Sequence, residues 1–205
     1  MRLEIIEGFV DSALLSHEQV LQIFRESEAL LEGHFRLTSG RHSNRYVQCA
    51  QVLQHPQHTE RLSAHLAALL RKTVGVPDVV IGPAMGGILV AYEVGRALGV
   101  RSIFTERENG TMTLRRNFVV RPGETVVVCE DVVTTGGSVR EVIDVATAAG
   151  GRVLAVASLV DRSNGQVDFG VPFCAALSME VVSWPPEACP LCKEGTPAIK
   201  PGSRN

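Results

Sequence analysis

The stretch Thr125–Ser138, TVVVCEDVVTTGGS, restricts the fold of this chain more than any other part of it. Val126 to Cys129 read as a buried parallel strand, and two adjacent carboxylates, Glu130 and Asp131, follow at its C-terminal end. The loop Thr134-Thr135-Gly136-Gly137-Ser138 then opens SVREVIDVATAA, a helical pattern. Ligands of open α/β sheets lie at the carboxyl ends of the strands. A glycine-rich turn feeding a helix offers free N–H groups and the positive end of the helix dipole to a phosphate. Threonine and serine hydroxyls add donors, and Gly136-Gly137 lets the backbone approach an anion closely. Such a cradle beside two acids suits a phosphorylated sugar, with amides for phosphate and carboxylates for ribose hydroxyls or a metal. An ordinary polar βα turn would account for Thr134 to Ser138 alone, but not for paired acids after an apolar run.

Two familiar nucleotide loops are missing. No G-x-x-x-x-G-K-[ST] run occurs, which disfavours a P-loop ATPase, and no G-x-G-x-x-G follows a strand, which disfavours a dinucleotide-binding unit. With 205 residues, 45% hydrophobic and 20% charged, the chain suits one globular domain spanning 1–205. A net charge of −2 gives no general attraction to nucleic acid or to an anionic membrane. The N-terminal MRLEIIE carries acids without a long apolar core, so no signal peptide is expected. No apolar run is long enough for a membrane span. Five cysteines, an odd number, read as reduced thiols and point to the cytoplasm.

The remaining pattern alternates β and α. Ser16-His-Glu-Gln19 reads as a capping box opening a helix to about Glu32, with Val20, Phe24, Leu30 and Leu31 on its apolar face. Extended pieces at Phe35–Thr38 and Tyr46–Cys49 flank the polar turn Ser39–Ser43. Leu62, Leu66, Leu69 and Leu70 have helical spacing. Strands are expected at Val79–Ile81, Val100–Phe104 and Val153–Val160, with a helix from Ile88 to Leu98. This order predicts an α/β fold, a central parallel sheet with helices on both faces. Five of the ten prolines fall in 185–205, which reads as an irregular tail.

Three more motifs bear on the site. Ile81-Gly-Pro-Ala-Met-Gly-Gly-Ile88 is a second strand–glycine loop–helix junction, a second anion site or a turn needed for tight packing. Glu106–Arg116 contains Asn109-Gly110, a hairpin signal, and Arg107, Arg115 and Arg116 on it offer charge to a diphosphate, unless the hairpin is only a solvated surface feature. Arg162, after the strand Val153–Val160, offers a bidentate guanidinium to a carboxylate or forms a surface ion pair.

Together these residues resemble the type I phosphoribosyltransferases, whose phosphoribosyl diphosphate (PRPP) signature matches Val126–Ser138. The orotate branch is resembled from Phe35 to Arg162, through Phe35-x-Leu-x-Ser39-Gly40-x-x-Ser43, Gly82-Pro-Ala-x-Gly-Gly-Ile88 and Leu159-x-Asp-Arg162. The resemblance implies a small hood from about 1–50 and the C-terminal part, a flexible flap, a homodimer, and Mg²⁺-dependent transfer of ribose 5-phosphate from PRPP to orotate. It implies that Glu130 and Asp131 hold the ribose hydroxyls, and that Val132, Val133 and Thr134 to Ser138 surround the 5-phosphate. Met85 and Gly86 would lie on the pyrophosphate loop, with Arg107 reaching PRPP from the flap, across the dimer interface. Thr134, Arg162, Tyr46 and Val47 would line the orotate pocket. Mg²⁺ would be carried mainly by PRPP, with no metal held by the protein alone.

Family members often carry lysine in three places where this chain has Thr38, Met85-Gly86 and a lysine-free flap. Arg115 and Arg116 supply charge there, but a guanidinium with a pKa above about 12 is a poor proton donor. Transfer to another base, and a PRPP-binding regulatory protein without catalysis, therefore stay open as alternatives. Cys189-Pro-Leu-Cys192 reads as a pair of reduced cysteines, as half a zinc site or as a redox pair. The sequence shows no further ligands beside it, and the histidines, His34 and His42 among them, read as surface or packing residues.

Overall fold

A computed structural model describes residues 12–37 and 39–201, so the N-terminal heptapeptide and Thr38 lie outside the described residues. Two sheets organise it. The larger has six strands in the order β5-β4-β3-β6-β7-β8. These are β3 (Val79–Pro83), β4 (Arg101–Glu108), β5 (Thr111–Leu114), β6 (Thr125–Val133), β7 (Arg152–Asp161) and β8 (Phe173–Ser178). All neighbouring pairs are parallel except β4–β5. The smaller sheet pairs β1 (Leu30–Arg36), β2 (His42–Val47) and β9 (Ser183–Trp184) antiparallel. Helices α1 (His17–Glu26), α2 (Cys49–Leu53), α3 (Pro56–Thr73), α4 (Gly86–Leu98), α5 (Gly137–Ala148) and α6 (Pro190–Lys193) complete the chain.

The two-residue period of the strands divides the core into two layers. Val80, Val127 and Cys129 face one layer with Leu62, Leu66 and Leu70 of α3 and Val90 and Val94 of α4. Val79, Ile81, Val126 and Val128 face the other, with Val139, Val142 and Ala146 of α5. The three α3 leucines are fully buried, and each burial removes enough apolar surface to favour folding by roughly 1.5–3 kcal/mol. The expected parallel sheet with helices on both faces is therefore present.

Several boundaries differ from the sequence reading. Ser16 caps α1 in a full capping box with Gln19, yet the helix ends at Glu26 rather than near Glu32. Glu28 takes a positive φ of 53°, and Leu30 and Leu31 pair with Val47 and Tyr46 instead. Strand pairing between non-adjacent segments overrides the helical spacing there. His42 and Ser43, read as part of a turn, begin β2. The tail is also less irregular than expected: Pro186 opens a short 3₁₀ turn and Pro190 opens α6. Proline fits a first helical turn, where its missing N–H costs nothing.

The hairpin signal is borne out. Asn109 and Gly110, with φ of 52° and 85°, join β4 to β5 as the two-residue loop their positive φ values favour. The hairpin forms the edge of the large sheet.

Candidate active site

Strand order places the site. From β3 the chain passes through α4 to β4 on one side, and from β6 it passes through α5 to β7 on the other. Adjacent β3 and β6 thus form a switch point, where the connections diverge and leave a crevice at the carboxyl ends of the strands. Both glycine loops singled out in the sequence open into it. The loop after β6, Thr134 to Ser138, lines a cavity of about 240 Å³ with Glu130, Val132, Val133 and Arg107. Gly136 has a φ of 75°, a left-handed conformation that favours glycine.

The paired acids do not follow β6 as expected but belong to it. The β6–β7 ladder continues through Glu130↔Ser158 to Val133↔Asp161, so the carboxylates are set by sheet geometry rather than by a loop. Glu130 is buried and Asp131 half-buried. Glu130 Oε1 accepts from the Asp131 N–H at 3.0 Å, and Asp131 Oδ1 accepts from the Val132 N–H at 2.8 Å. The loop after β3 closes on them. A Cβ on Gly86 would collide with the Asp131 carboxyl, and one on Gly87 would lie 3.1 Å from Glu130 Oε1. At Gly86 the clash is with the acid itself, whereas at Gly87 it is with the Pro83 ring and the Cys129 carbonyl, 2.6 and 3.0 Å from the added carbon. Met85, beside them, is 83% exposed.

Burial raises the pKa of both acids, and for Glu130 the neighbouring Asp131 carboxyl raises it further, to about 8. The unfolded chain releases the Glu130 proton near 4.5, so between about 4.5 and 8 the native state binds more protons than the unfolded state. Stability of the ligand-free protein is therefore expected to fall across that window as the buried Glu130 proton is lost. Thermal midpoints at pH 5 and pH 8 check this. Glu130→Gln should flatten the slope, and a slope identical to the parent's would contradict the assignment.

Arg162 follows β7, its N–H donating to Val133 O at 2.8 Å. Its side chain is partly buried, and Nε is buried without a hydrogen-bond partner. Desolvation pulls its pKa below the ordinary arginine value, while Cys49 and Tyr46 are near enough to act on its charge. A buried guanidinium with an unmet donor is costly unless an acceptor meets it. Tyr46 and Val47 lie at the end of β2, and the Tyr46 ring is 6.0 Å from that of Phe35. Cys49, which sequence reasoning passed over, is buried with its thiol donating to Asp131 O at 3.5 Å. Burial, then the Asp131 charge, raises its pKa well above the ordinary thiol value, so it stays a neutral thiol. A lone cysteine at the first position of a short helix carries no local signal of such a place.

The three flap arginines separate. Arg107 lines the cavity at the loop after β6 and is held by Glu141 of α5 at 2.7 Å and by Gly110 O at 2.9 Å. An exposed pair of this kind is worth about 0–1 kcal/mol, so Arg107 is cheaply released to a stronger anion. Arg115 and Arg116 instead engage the hairpin's own acids, Arg115 with Glu108 at 3.4 Å and Arg116 with Glu106 at 3.2 Å. Arg116 also lies over Phe104, 5.7 Å from the ring centroid. Cys189 and Cys192 lie away from this crevice, beside His34 and His42.

The chain matches known proteins along most of its length. The model of the phosphoribosyl transferase domain family matches residues 49–186. A curated orotate phosphoribosyltransferase of Heliobacterium modesticaldum is 90% identical over 190 residues, which cover 93% of this chain and 100% of that protein. Another, from Pelotomaculum thermopropionicum, is 60% identical and covers 93% of this chain and 99% of its own. The crystal structure of orotate phosphoribosyltransferase from Aeropyrum pernix superposes with a TM-score of 0.64 at 25% identity, over 77% of this chain and 92% of that one. A crevice between two glycine loops, with paired acids on the strand between them, is thus accompanied by sequence kinship across nine-tenths of the chain: the protein belongs to the phosphoribosyltransferase family, in its orotate branch.

Proposed function

We infer that this protein transfers ribose 5-phosphate from PRPP to orotate, giving orotidine 5′-monophosphate and pyrophosphate, a step of pyrimidine nucleotide synthesis. The observation that carries the reading is Arg162, a partly buried guanidinium whose Nε lacks a partner at the edge of the crevice. Orotate differs from uracil by a carboxylate, the group that a guanidinium fork binds best.

In this reading the N–H groups and hydroxyls of Thr134 to Ser138 hold the 5-phosphate, at the start of α5. Glu130 and Asp131 accept from the ribose hydroxyls, and the backbone at Met85 and Gly86 faces the diphosphate. Arg107 exchanges Glu141 for the diphosphate and offsets the charge that develops as it leaves. Tyr46, Val47 and the Thr134 side border the base, whose carboxylate meets Arg162. The base nitrogen forms a bond to C1 as the C1–O bond to pyrophosphate breaks, and the proton of that nitrogen leaves with the pyrophosphate. Holding both reactants in line, with donors aimed at the departing anion, supplies the rate without a covalent enzyme intermediate. The absence of lysine from the flap is consistent with charge neutralisation by Arg107, and it assigns the flap no proton transfer.

Glu130 and Asp131 also fit a divalent cation, being adjacent carboxylates on one strand whose raised pKa values hold protons that a cation would displace. Mg²⁺ bound with PRPP would neutralise charge on the diphosphate oxygens. A second copy of the chain is supported by exposed Met85, Leu89 and Tyr92, which recur at helical spacing along the start of α4. No helix among the described residues is long and apolar enough to cross a membrane, and the five free cysteines suit a reducing cytoplasm.

The test is purified protein with PRPP, Mg²⁺ and orotate, followed by the loss of orotate absorbance. Loss that needs both PRPP and Mg²⁺ supports the reading. Turnover of adenine or uracil in preference to orotate would overturn the choice of base, and PRPP binding without turnover of any base would leave a regulatory protein.

A further inference from the structure

Four side chains remote in sequence converge where the C-terminal segment crosses the small sheet. His34 comes from β1 and His42 from β2, while Cys189 and Cys192 bracket the first turn of α6. One ligand atom from each lies within 4.8 Å of all the others. His34, His42 and Cys189 are buried, with 3%, 8% and 0% exposure.

The nitrogen–sulfur spacings are close to those around one central ion, while the two nitrogens sit at hydrogen-bond distance and would part slightly to admit it. Zinc bonds of about 2.0–2.1 Å to nitrogen and 2.3 Å to sulfur, at tetrahedral angles, put ligand atoms about 3.3 Å apart for N–N and about 3.6 Å for N–S. His34 Nε2 lies 2.8 Å from His42 Nδ1, and 3.4 and 3.8 Å from the sulfurs of Cys189 and Cys192. His42 Nδ1 lies 3.2 Å from Cys192 Sγ. The outer partners agree as well. His34 Nδ1 lies 2.6 Å from Thr196 O. With its proton there, the ring donates to the carbonyl and turns the Nε2 lone pair inward, the usual support of a metal-bound imidazole.

The backbone is shaped for this meeting. The β1–β2 register shifts between Glu32 and Phe35, and the bulge lets His34 and Phe35 both be buried although they are consecutive on a strand. Pro190 favours the turn that brings Cys189 and Cys192 to the same side. Without an ion the same atoms share one N···N contact of 2.8 Å and S···N contacts of 3.2–3.8 Å, the weak hydrogen bonds that a thiol can make.

We propose that His34, His42, Cys189 and Cys192 bind a structural zinc ion that clamps the C-terminal segment onto the small sheet. Two thiolates and two neutral imidazoles make a closed, charge-balanced tetrahedral site for a thiophilic cation. It is chemically separate from the oxygen donors of the crevice, which suit a hard cation such as Mg²⁺. The clamp would also fasten the parallel bridge between Phe35 and Ile199 and brace β2, the strand that carries Tyr46 and Val47.

Tag-free full-length protein, produced with zinc in the medium and passed through chelator-treated buffer, tests this by elemental analysis. About one zinc per chain is expected, as for a closed structural site. Replacement by Co²⁺ should give the visible bands of a tetrahedral ion together with thiolate-to-cobalt charge transfer. Cys192→Ser and His42→Ala should lose the zinc, while Cys174→Ser should keep it. Zinc far below one per chain in the parent, with no thiolate-to-cobalt band after reconstitution, would overturn the proposal. So would Cys192→Ser that retains the metal and an unchanged cobalt spectrum. Because metal content and spectrum are read on the unmutated protein, a variant that fails to fold does not decide the outcome.

Discussion

Asp131→Asn is expected to reduce kcat/KM for PRPP by about 10²–10⁴-fold, roughly 3–5 kcal/mol of transition-state stabilisation. The substitution keeps the volume of the side chain and an oxygen able to accept from the Val132 N–H, which is 2.8 Å from Asp131 Oδ1. It removes only the charge. In the reaction inferred above, C1 of ribose gains positive character as pyrophosphate departs, so a carboxylate beside the sugar stabilises that state more than the ground state. The folded protein, by contrast, should tolerate the change well. Burial raises the pKa of Asp131, so its ionised form is disfavoured in the native state, and a neutral amide removes that cost above the carboxylate's unfolded pKa. Loss of turnover with an undiminished thermal midpoint at pH 8 is the expected pair of results. Turnover close to the parent's would remove Asp131 from the chemistry.

The second large effect concerns the base. Arg162→Ala should lower kcat/KM for orotate by about 10²-fold, the roughly 2–3 kcal/mol of a charge-assisted hydrogen-bonded pair. Any turnover of uracil, which lacks the carboxylate, should be unchanged. Comparing two bases on two proteins isolates the pairing between guanidinium and carboxylate. Arg162→Lys should recover little, because a point charge does not reproduce the planar fork. An equal loss with both bases would show that Arg162 supports the fold of the pocket and not recognition of the carboxylate. Its N–H bond to Val133 O, at 2.8 Å, belongs to the backbone and survives either substitution.

The parts of the site that were legible in the sequence are those built from contiguous residues. Thr134 to Ser138 and Pro83 to Gly87 were readable as strand–loop–helix junctions because their glycines stand directly between an apolar run and a helical pattern. Asn109-Gly110 was readable because a two-residue hairpin needs positive φ at both positions. The acids at 130 and 131 were readable as chemistry but not as structure. A strand usually ends where its apolar run ends, whereas here pairing with β7 carries β6 three residues past Glu130. Leu30 and Leu31 misled because helical spacing and a strand edge are indistinguishable over so short a run, and their partners Val47 and Tyr46 come later in the chain.

The cluster at His34 was beyond any reading of local spacing. Its four side chains lie on a bulged strand, on its hairpin partner and on a helix turn more than 140 residues later, Cys192 standing 150 positions after His42. They are brought together by the pairing of β9 with β2, Trp184 opposite His42, and by the docking of the C-terminal segment on β1, through Arg36 N–H to Ile199 O at 2.8 Å and Ile199 N–H to His34 O at 2.8 Å. Cys49 and Arg162 meet for a similar reason, one following β2 of the small sheet and the other following β7 of the large one.

The most direct measurement is a phosphorus NMR time course of the protein with PRPP and Mg²⁺, started with and without orotate. With orotate, the diphosphate resonances of PRPP should give way to free pyrophosphate while the 5-phosphate resonance becomes that of a nucleotide monophosphate, the two products growing equally. Without orotate PRPP should persist. Pyrophosphate released at the same rate whether or not orotate is present would mean hydrolysis rather than transfer, and unchanged PRPP in both samples would contradict the assignment of this crevice as a phosphoribosyl transfer site.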